Sequence, residues 1–470
     1  MRILALLMIL AAATHAGAAE PSNNQRRPNI VLLLADDQRP DTIHALGNPR
    51  IETPNLDRLV AEGTAFTRAI TAFPICLQSR IELMTGCTIW RGEKYAPAKR
   101  DTSNIVPWAE TLRRAGYRTW HVGKWHNAGT PRDWGYEETR GLYVSGGKET
   151  QGKGLLADDR GRAITGYRGY VFKTDDGQTE VEKGIGLTPN ISDYFGDAAV
   201  EFIDTKPDAP FFLHVNFAGP HDPLLMPPKF AGKYRPAEMA VPANFLAEHP
   251  FDHGNLRGRD ELLWPWPRQR EEVQDDLATY YAVISHLDQQ VGRVLAALER
   301  IGQLDNTLLI YTSDQGLAIG SHGLRGKQNM YEHTIEVPLV MRGPGVPRDV
   351  RCNAQVYLRD LYPTTCQIVG VDVPPSVEGK SFVPVLRGEV SEIHRFVVAY
   401  FRDVQRMIRT DRWKLIEYPQ AGRTQLFDVK ADPDELHDLS EAAEWADTRA
   451  KLHEQLHSWL REHGDPLEAR

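Results

Sequence analysis

A cysteine and an arginine four residues apart are the first chemically suggestive pair in the chain. The run FPICLQSRIELMTG occupies residues 73–86. Pro74 favours a loop, and the residues after it read as a helix beginning near Cys76, with Ile81 and Met84 on its buried side. A side chain at a helix N-terminus meets unpaired backbone N–H groups and the positive end of the dipole, a setting suited to an anion. Arg80 lies about one turn further along the same face. The pair suits a nucleophile with an oxyanion partner, and equally a buried structural cysteine beside a surface arginine.

Further polar residues stand where apolar runs stop. Residues 28–35 (PNIVLLLA) read as a strand covered on both faces, ending in Asp36 and Asp37. Residues 117–122 alternate like a strand and lead into Lys124 and His126, residues 211–217 lead to His221, and residues 307–313 deliver Asp314 and Gln315. In an open α/β sheet, residues just past the C-terminal ends of parallel strands share one rim with the ligand. Each end taken alone is equally a turn or a helix cap. Three carboxylates and a carboxamide oxygen are hard ligands, suited to Ca²⁺ or Mg²⁺ rather than zinc. Arg80, Lys124 and Lys327 offer fixed positive charge to a group that gains negative charge, and His126 and His221 titrate in the range needed to relay protons.

The elements that must hold these residues alternate between strand and helix. Thr53 and Pro54 open a helix that Gly63 closes; residues 108–115, 193–204 and 271–301 carry helical periodicity, and residues 337–341 read as one more strand. Residues 141–190 are rich in Gly, Asp and Lys and read as loops or short hairpins. Residues 224–268, rich in Pro, Trp and His, read as an irregular excursion. After about Gly388 the pattern changes to short strands at 395–401, 405–410, 413–418 and 425–428, then a helix near 448–463. The division expected is a signal peptide over 1–19, a main domain over 27–388 and an antiparallel C-terminal subdomain over 389–470.

With 470 residues the chain can bury a large core, and a net charge of −8 gives no basis for a nucleic-acid or anionic-membrane partner. Met1 to Ala19 has the basic start, short apolar run and small-residue cleavage site of a secretory signal, which implies a periplasmic or secreted protein; no later stretch is long and apolar enough to span a membrane. Four cysteines are too few for a disulfide framework, although pairing of Cys352 with Cys366, or of Cys76 with Cys87, is compatible with the sequence.

The run at 73–86 resembles the signature of the formylglycine-dependent sulfatases, C-x-P-S-R followed by a helix and T-G: Cys76, Ser79, Arg80, Thr85 and Gly86 are in register, and Gln78 stands where the family usually has proline. Residues 28–37, 53–59, 123–126 (GKWH), 219–221 (GPH), 313–316 (SDQG), 321–327 (SHGLRGK), 337–339, 408–416 and 426–428 are similar to family blocks in the same order. Glu336 departs from them, standing where relatives often carry a basic residue. The resemblance implies an alkaline-phosphatase-like α/β/α sandwich with a smaller C-terminal antiparallel subdomain. It implies conversion of Cys76 to formylglycine by a formylglycine-generating enzyme, and a Ca²⁺ held by Asp36, Asp37, Asp314, Gln315 and the modified Cys76. Arg80 and Lys124 would then support the aldehyde hydrate, His126 would act on its hydroxyl, and His221 and Lys327 would contact the sulfate beside the departing alcohol.

The expected activity is hydrolysis of a sulfate ester on a sulfated carbohydrate or a smaller molecule. A phosphonate monoester or phosphodiester hydrolase, and a non-catalytic binding protein with an unmodified Cys76, are the alternatives. Within 224–268, Asp252, His253, Arg259 and Trp264 are candidates for a substrate-binding wall, since Trp faces stack on sugar rings and basic groups read anionic sugars; packing of the Trp residues inside the excursion is the competing expectation.

Overall fold

The computed structural model describes residues 27–97, 103–150, 152–158 and 160–468, so the expected signal peptide lies outside the described residues. At its centre is β1 (Asn29–Ala35), all seven residues of which are buried. Its period-two alternation sends Ile30, Leu32 and Leu34 into one apolar cluster and Val31, Leu33 and Ala35 into another. A strand clad on both faces has no solvent side, which is why its sequence is one unbroken apolar run.

The other strands of the main sheet are β2 (Thr64–Ile70), β3 (Arg118–Lys124), β4 (Glu138–Ser145), β5 (Tyr170–Lys173), β6 (Phe211–Asn216), β7 (Thr307–Ser313), β8 (Glu336–Arg342), β9 (Val350–Cys352) and β10 (Val356–Tyr357). They run in the order β10-β2-β8-β7-β1-β6-β3-β4-β5, with β9 paired to β2. The four central strands β7, β1, β6 and β3 are mutually parallel, so their C-terminal ends fall on one rim. Two findings depart from the sequence reading. Residues 64–70 carry no assigned strand there yet form β2, and β4 and β5 are not a separate hairpin but extend the main sheet, β4 running parallel to β3.

Helices cover both faces. On one side lie α1 (Pro54–Glu62), α5 (Ile191–Asp204) and α6 (Arg270–Arg300); on the other lie α2 (Cys76–Thr85), α4 (Trp108–Arg114) and α8 (Leu361–Val369). Single-turn helices α3 (Ile89–Gly92), α7 (Glu332–Ile335) and α9 (Val383–Leu386) lie in the connections. None of the described helices is long and apolar enough to cross a membrane.

A second, antiparallel sheet of β11 (Val397–Phe401), β12 (Gln405–Arg409), β13 (Trp413–Tyr418) and β14 (Arg423–Asp428) is followed by α10 (Ala446–Glu462). The expected boundary at 388 falls in a stretch without helix or strand. The small sheet nevertheless shares a core with the large one: Val397, Met407, Ile416 and Leu456 belong to the same apolar cluster as Ile30 and Leu83. Buried charges stitch the seam as well. Arg409 donates to Glu332 and, at 2.6 Å, to Glu336, while Lys414 reaches Glu332 at 2.9 Å and Glu435 at 2.6 Å. Glu336, unexplained by the sequence, is thus the main domain's contact for an arginine of the C-terminal sheet.

Candidate active site

The helix that opens at Cys76 is wedged into this seam. Glu82 on α2 is buried, accepts from Arg359 at 3.0 Å and is held by the Tyr400 hydroxyl of β11. Gly86 ends the helix with φ +68, and a Cβ there would stand 2.8 Å from the Val377 side chain, which accounts for the Thr-Gly that closes the run. Cys76 is the first residue of α2, Ile75 gives no side-chain cap, and the cysteine faces the rim of the central strands.

The ends of β1 and β7 meet it directly, and that of β3 through Asp36. The Cys76 thiol donates to Asp36 Oδ1 at 3.2 Å, and receives Gln315 Nε2 at 3.2 Å and Lys327 Nζ at 3.4 Å. Lys124 Nζ lies 2.6 Å from Asp36 Oδ2; Lys327 Nζ lies 2.8 and 2.6 Å from the two oxygens of Asp37. Arg80 donates through Nε to Asp314 Oδ2 at 3.0 Å, and Ser79 Oγ donates to the Asp314 carbonyl at 2.7 Å. Lys124 reaches the rim through a bulge after Val122: Gly123 has φ +92, and a Cβ there would sit 2.0 Å from the Asn216 carbonyl. Gln78 is half-buried on α2 and makes none of these contacts.

The electrostatics are tightly balanced, with Asp36, Asp37 and Asp314 set against Arg80, Lys124 and Lys327, all buried. Against the burial that would raise it, Lys124 and Arg80 hold the Asp36 carboxyl well below the usual range. Burial, only partly offset by Lys327 and reinforced by Asp36 and Asp314, pushes Asp37 up to about 7. Burial, with Asp36 beside it, also pushes the Cys76 thiol far up. Carboxylates crowded in this way repel one another, a repulsion that a divalent cation between them relieves. One oxygen from each of Asp36, Asp37 and Asp314 lies within 4.8 Å of the others, and Gln315 Oε1 is buried beside them without a hydrogen-bond partner. This oxygen-rich donor set fits a hard cation such as Ca²⁺.

His221 extends from the end of β6. Its Nδ1 lies 2.6 Å from the Asp222 carbonyl and donates to it, which turns Nε2 toward Asp37 Oδ2, 3.7 Å away. Burial and Lys327 hold this ring neutral. His126 is different: it is exposed at the rim, its ring 6.4 Å from that of Tyr170, and it makes none of the cluster's hydrogen bonds. Beside it opens a cavity of about 430 Å³ lined by Trp125, Asn127, Arg132, Tyr170 and Lys173.

The substrate wall expected from residues 224–268 does not form as drawn. Trp264 is 2% exposed and packs with Leu224, Phe230 and Leu277, leaving no ring face for a sugar. His253 is buried, its Nδ1 3.0 Å from Gln405 Nε2, and Asp252 caps the turn at Gly254. Arg259 grips both oxygens of Asp222, at 3.1 and 2.9 Å, and also pairs with Asp260, so it braces the residue that follows His221. Trp264 and His253 turn inward because a segment without periodicity must bury large rings somewhere, and composition does not say which.

Sequence reasoning also missed a residue. The Tyr167 hydroxyl donates to Asp36 Oδ2, its ring lies 4.7 Å from His221, and Lys124 Nζ sits 4.9 Å above it. Tyr167 has φ +54, a left-handed conformation uncommon for a bulky residue, in a loop whose weak periodicity gave no sign of it.

The family model described as Sulfatase matches residues 28–371. The chain belongs to the sulfatase family. It is a sulfuric ester hydrolase, and a second family model, N-sulphoglucosamine sulphohydrolase C-terminal, matches residues 320–462 of this sulfatase. The N-acetylglucosamine-6-O-sulfatase of Bacteroides thetaiotaomicron is 26% identical, over 98% of this chain and 91% of its own. A solved structure of a protein in complex with its substrate D-glucosamine-2-N,6-O-disulfate superposes with a TM-score of 0.75 at 24% identity, covering 95% of this chain and all (100%) of that one. The phosphonate monoester hydrolase of Silicibacter pomeroyi superposes with a TM-score of 0.76 at 22% identity, covering 94% and 96%. At these identities the two superpositions establish the alkaline-phosphatase-like fold. The four cysteines are all free, so neither Cys76–Cys87 nor Cys352–Cys366 is a disulfide.

Proposed function

We propose that this sulfatase removes sulfate from a sulfated carbohydrate, using a formylglycine derived from Cys76 and a Ca²⁺, in the periplasm or outside the cell. The supporting observation is the placement of Cys76 Sγ, at the start of α2 and within 3.4 Å of Asp36, Gln315 and Lys327. A thiol kept protonated by burial is a poor nucleophile, so this position gains its chemistry by conversion. A hydrated aldehyde here would supply an attacking oxygen for sulfur and a second hydroxyl whose proton can be withdrawn to release sulfate. Asp36, Asp37, Asp314, Gln315 and the modified side chain would hold Ca²⁺, which adds two positive charges to a balanced cluster and so favours an anionic ester.

The chain's own groups divide the remaining work. Arg80 and Lys124 fix the carboxylates around the nucleophile's position and present fixed positive charge there. His221 Nε2 and Lys327 Nζ both face Asp37, beside a departing alcohol; the Lys327 ammonium carries a proton to give, and His221 would do so once a bound anionic ester has brought its ring to the imidazolium, while the Asp222 carbonyl fixes its orientation and Arg259 fixes Asp222. His126, at the rim beside the cavity, would take a proton from the hydrated side chain. The carbohydrate reading is supported by the names of the C-terminal model and of the Bacteroides relative.

The test compares ester hydrolysis of 6-O-sulfated glucosamine and a small aryl sulfate, read as sulfate release, with that of a phosphonate monoester, read as alcohol release, using protein co-produced with a formylglycine-generating enzyme. The reading expects kcat/KM to be highest for the sulfated sugar. A phosphonate preferred by tenfold or more would transfer the reading to the hydrolases of the Silicibacter type, which share the fold. No turnover of any ester by fully converted protein would leave a binding protein.

A further inference from the structure

A second convergence of ligating side chains lies away from the rim, on the flank of α10. This helix docks through Leu452, Leu456 and Leu460, which share its buried stripe. His453 and His457, four residues apart, project together from a neighbouring face, their ring centroids 4.2 Å apart. Both address one carboxylate of β13. His453 Nδ1 is 2.7 Å from Glu417 Oε1, and His457 Nε2 is 2.9 Å from Glu417 Oε2. The three ligand atoms lie within 4.8 Å of one another.

The other nitrogen of His457 distinguishes this cluster from a pair of surface ion pairs, which contribute little to stability and need no further support. His457 Nδ1 is 2.6 Å from Glu468 Oε1, and Arg461 reaches the second oxygen of Glu468 at 3.3 Å. When Nδ1–H donates to Glu468, Nε2 is left with a lone pair aimed at Glu417. A carboxylate on the rear nitrogen of a metal-bound histidine is the arrangement that orients metal ligands and raises their basicity. Four-coordinate zinc binds imidazole nitrogen and carboxylate oxygen at ~2.0–2.2 Å. Ligand atoms around such an ion stand ~3.4 Å apart, so His453, His457 and Glu417 need to part by only ~0.5–0.7 Å to admit it. The exposed side of His453 leaves a fourth position for water.

We propose that His453, His457 and Glu417 form a binding site for a zinc-class divalent cation, with Glu468 supporting His457, and that the ion fastens α10 to the C-terminal sheet. Imidazole donors select this class over the hard cations that suit the all-oxygen rim, so the two sites discriminate by ligand type. Binding replaces the imidazole proton shared with Glu417 by the metal and releases it to solvent.

The full-length protein, stripped of metal and then held in saturating Ca²⁺, is titrated with Zn²⁺ by calorimetry and with Co²⁺ by visible absorption. The expected result is one zinc-class site that survives in Cys76→Ala, shows the d–d bands of a four-coordinate ion and raises Tm. His457→Ala should weaken it ~100-fold and Glu468→Gln ~10-fold. His453→Gln, at a largely exposed side chain, is the control against misfolding and should also abolish the Tm response. Zinc affinity and Tm response unchanged in His453→Gln and His457→Ala would overturn the proposal, as would a site lost in Cys76→Ala and retained in the histidine variants.

Discussion

The molecule holds two clusters of largely buried charge, one at the seam between its sheets and one at the rim of the large sheet, and only the second is laid out for chemistry. At the seam, Glu332, Glu336 and Glu435 face Arg409 and Lys414, three acids against two bases. The imbalance is absorbed by a proton. Burial and the neighbouring Glu332 push Glu336 up to about 8, whereas Arg409 and Lys414, working against burial, hold Glu332 down at about 2. At the rim, three carboxylates face three cations, and the residue is an unpartnered carboxamide oxygen and a thiol at a helix start. The seam residues, all but Glu435 on regular strands or a helical turn, point at one another; most rim residues sit at or just past strand ends and point at a common space. Buried charge alone therefore does not mark a site. Convergence from several strand ends, with ligand atoms left over, does.

This contrast predicts opposite phenotypes, beginning with the largest. Asp314→Asn should cut turnover by ~10³-fold or more while leaving the fold intact, because the carboxamide keeps an acceptor for Arg80 and relieves the repulsion among the rim carboxylates. Stripping with a chelator should mimic it, and Ca²⁺ should restore wild-type rates only. Arg409→Ala should do the reverse. It leaves Glu336 without its cation and Glu332 with Lys414 alone, and costs ~3 kcal/mol of stability, read as a lowered midpoint in urea, with kcat of the folded fraction within a few-fold of wild type. Loss of activity without loss of stability in Arg409→Ala would erase the distinction.

His221→Ala sharpens the account within the rim. Esters with poor leaving groups should slow by ~10²-fold or more and activated aryl sulfates much less, since only the former need a proton. Equal losses would make His221 a positioning group. Tyr167→Phe removes one hydroxyl from Asp36 and should cost ~10-fold in kcat/KM with Tm nearly unchanged. The smallest effect concerns Glu336→Gln, which mimics the protonated acid of the seam. A folded pKa above the unfolded one stabilises below the unfolded value and is lost as pH rises through the folded value, so wild-type stability should decline from about pH 5 to about pH 8 through this group. Glu336→Gln should flatten that decline and equal or exceed wild type at pH 9, in thermal melts across the range.

The rim was legible because each parallel strand buried on both faces is a continuous apolar run, and the polar residues that stop it must lie at its end. Asp36, Asp37, Lys124, His221, Asp314 and Gln315 were all found in this way, and Cys76 and Arg80 through their helix. His126 was found too, but the structure leaves it exposed at the rim, outside the hydrogen-bonded cluster. What failed was reading function from residue type alone. Trp264 and His253 have the chemistry of a sugar-binding wall, yet the excursion turns them inward, and Arg259 spends its guanidinium on Asp222. Tyr167 was invisible for the converse reason: it lies in a loop with no period, and only the folding of β4 and β5 onto the sheet edge carries it to Asp36. Glu336 became intelligible only when the second sheet supplied its arginine.

The central claim is that Cys76 works as its oxidised derivative, despite Gln78 in place of the usual proline. Mass spectrometry of the peptide spanning residues 73–86, taken from fractions of graded sulfatase activity, tests it most directly. The account predicts an aldehyde or its hydrate at Cys76, in proportion to activity across the fractions, and no activity in Cys76→Ala. Sulfate release by protein whose Cys76 is entirely thiol would contradict it.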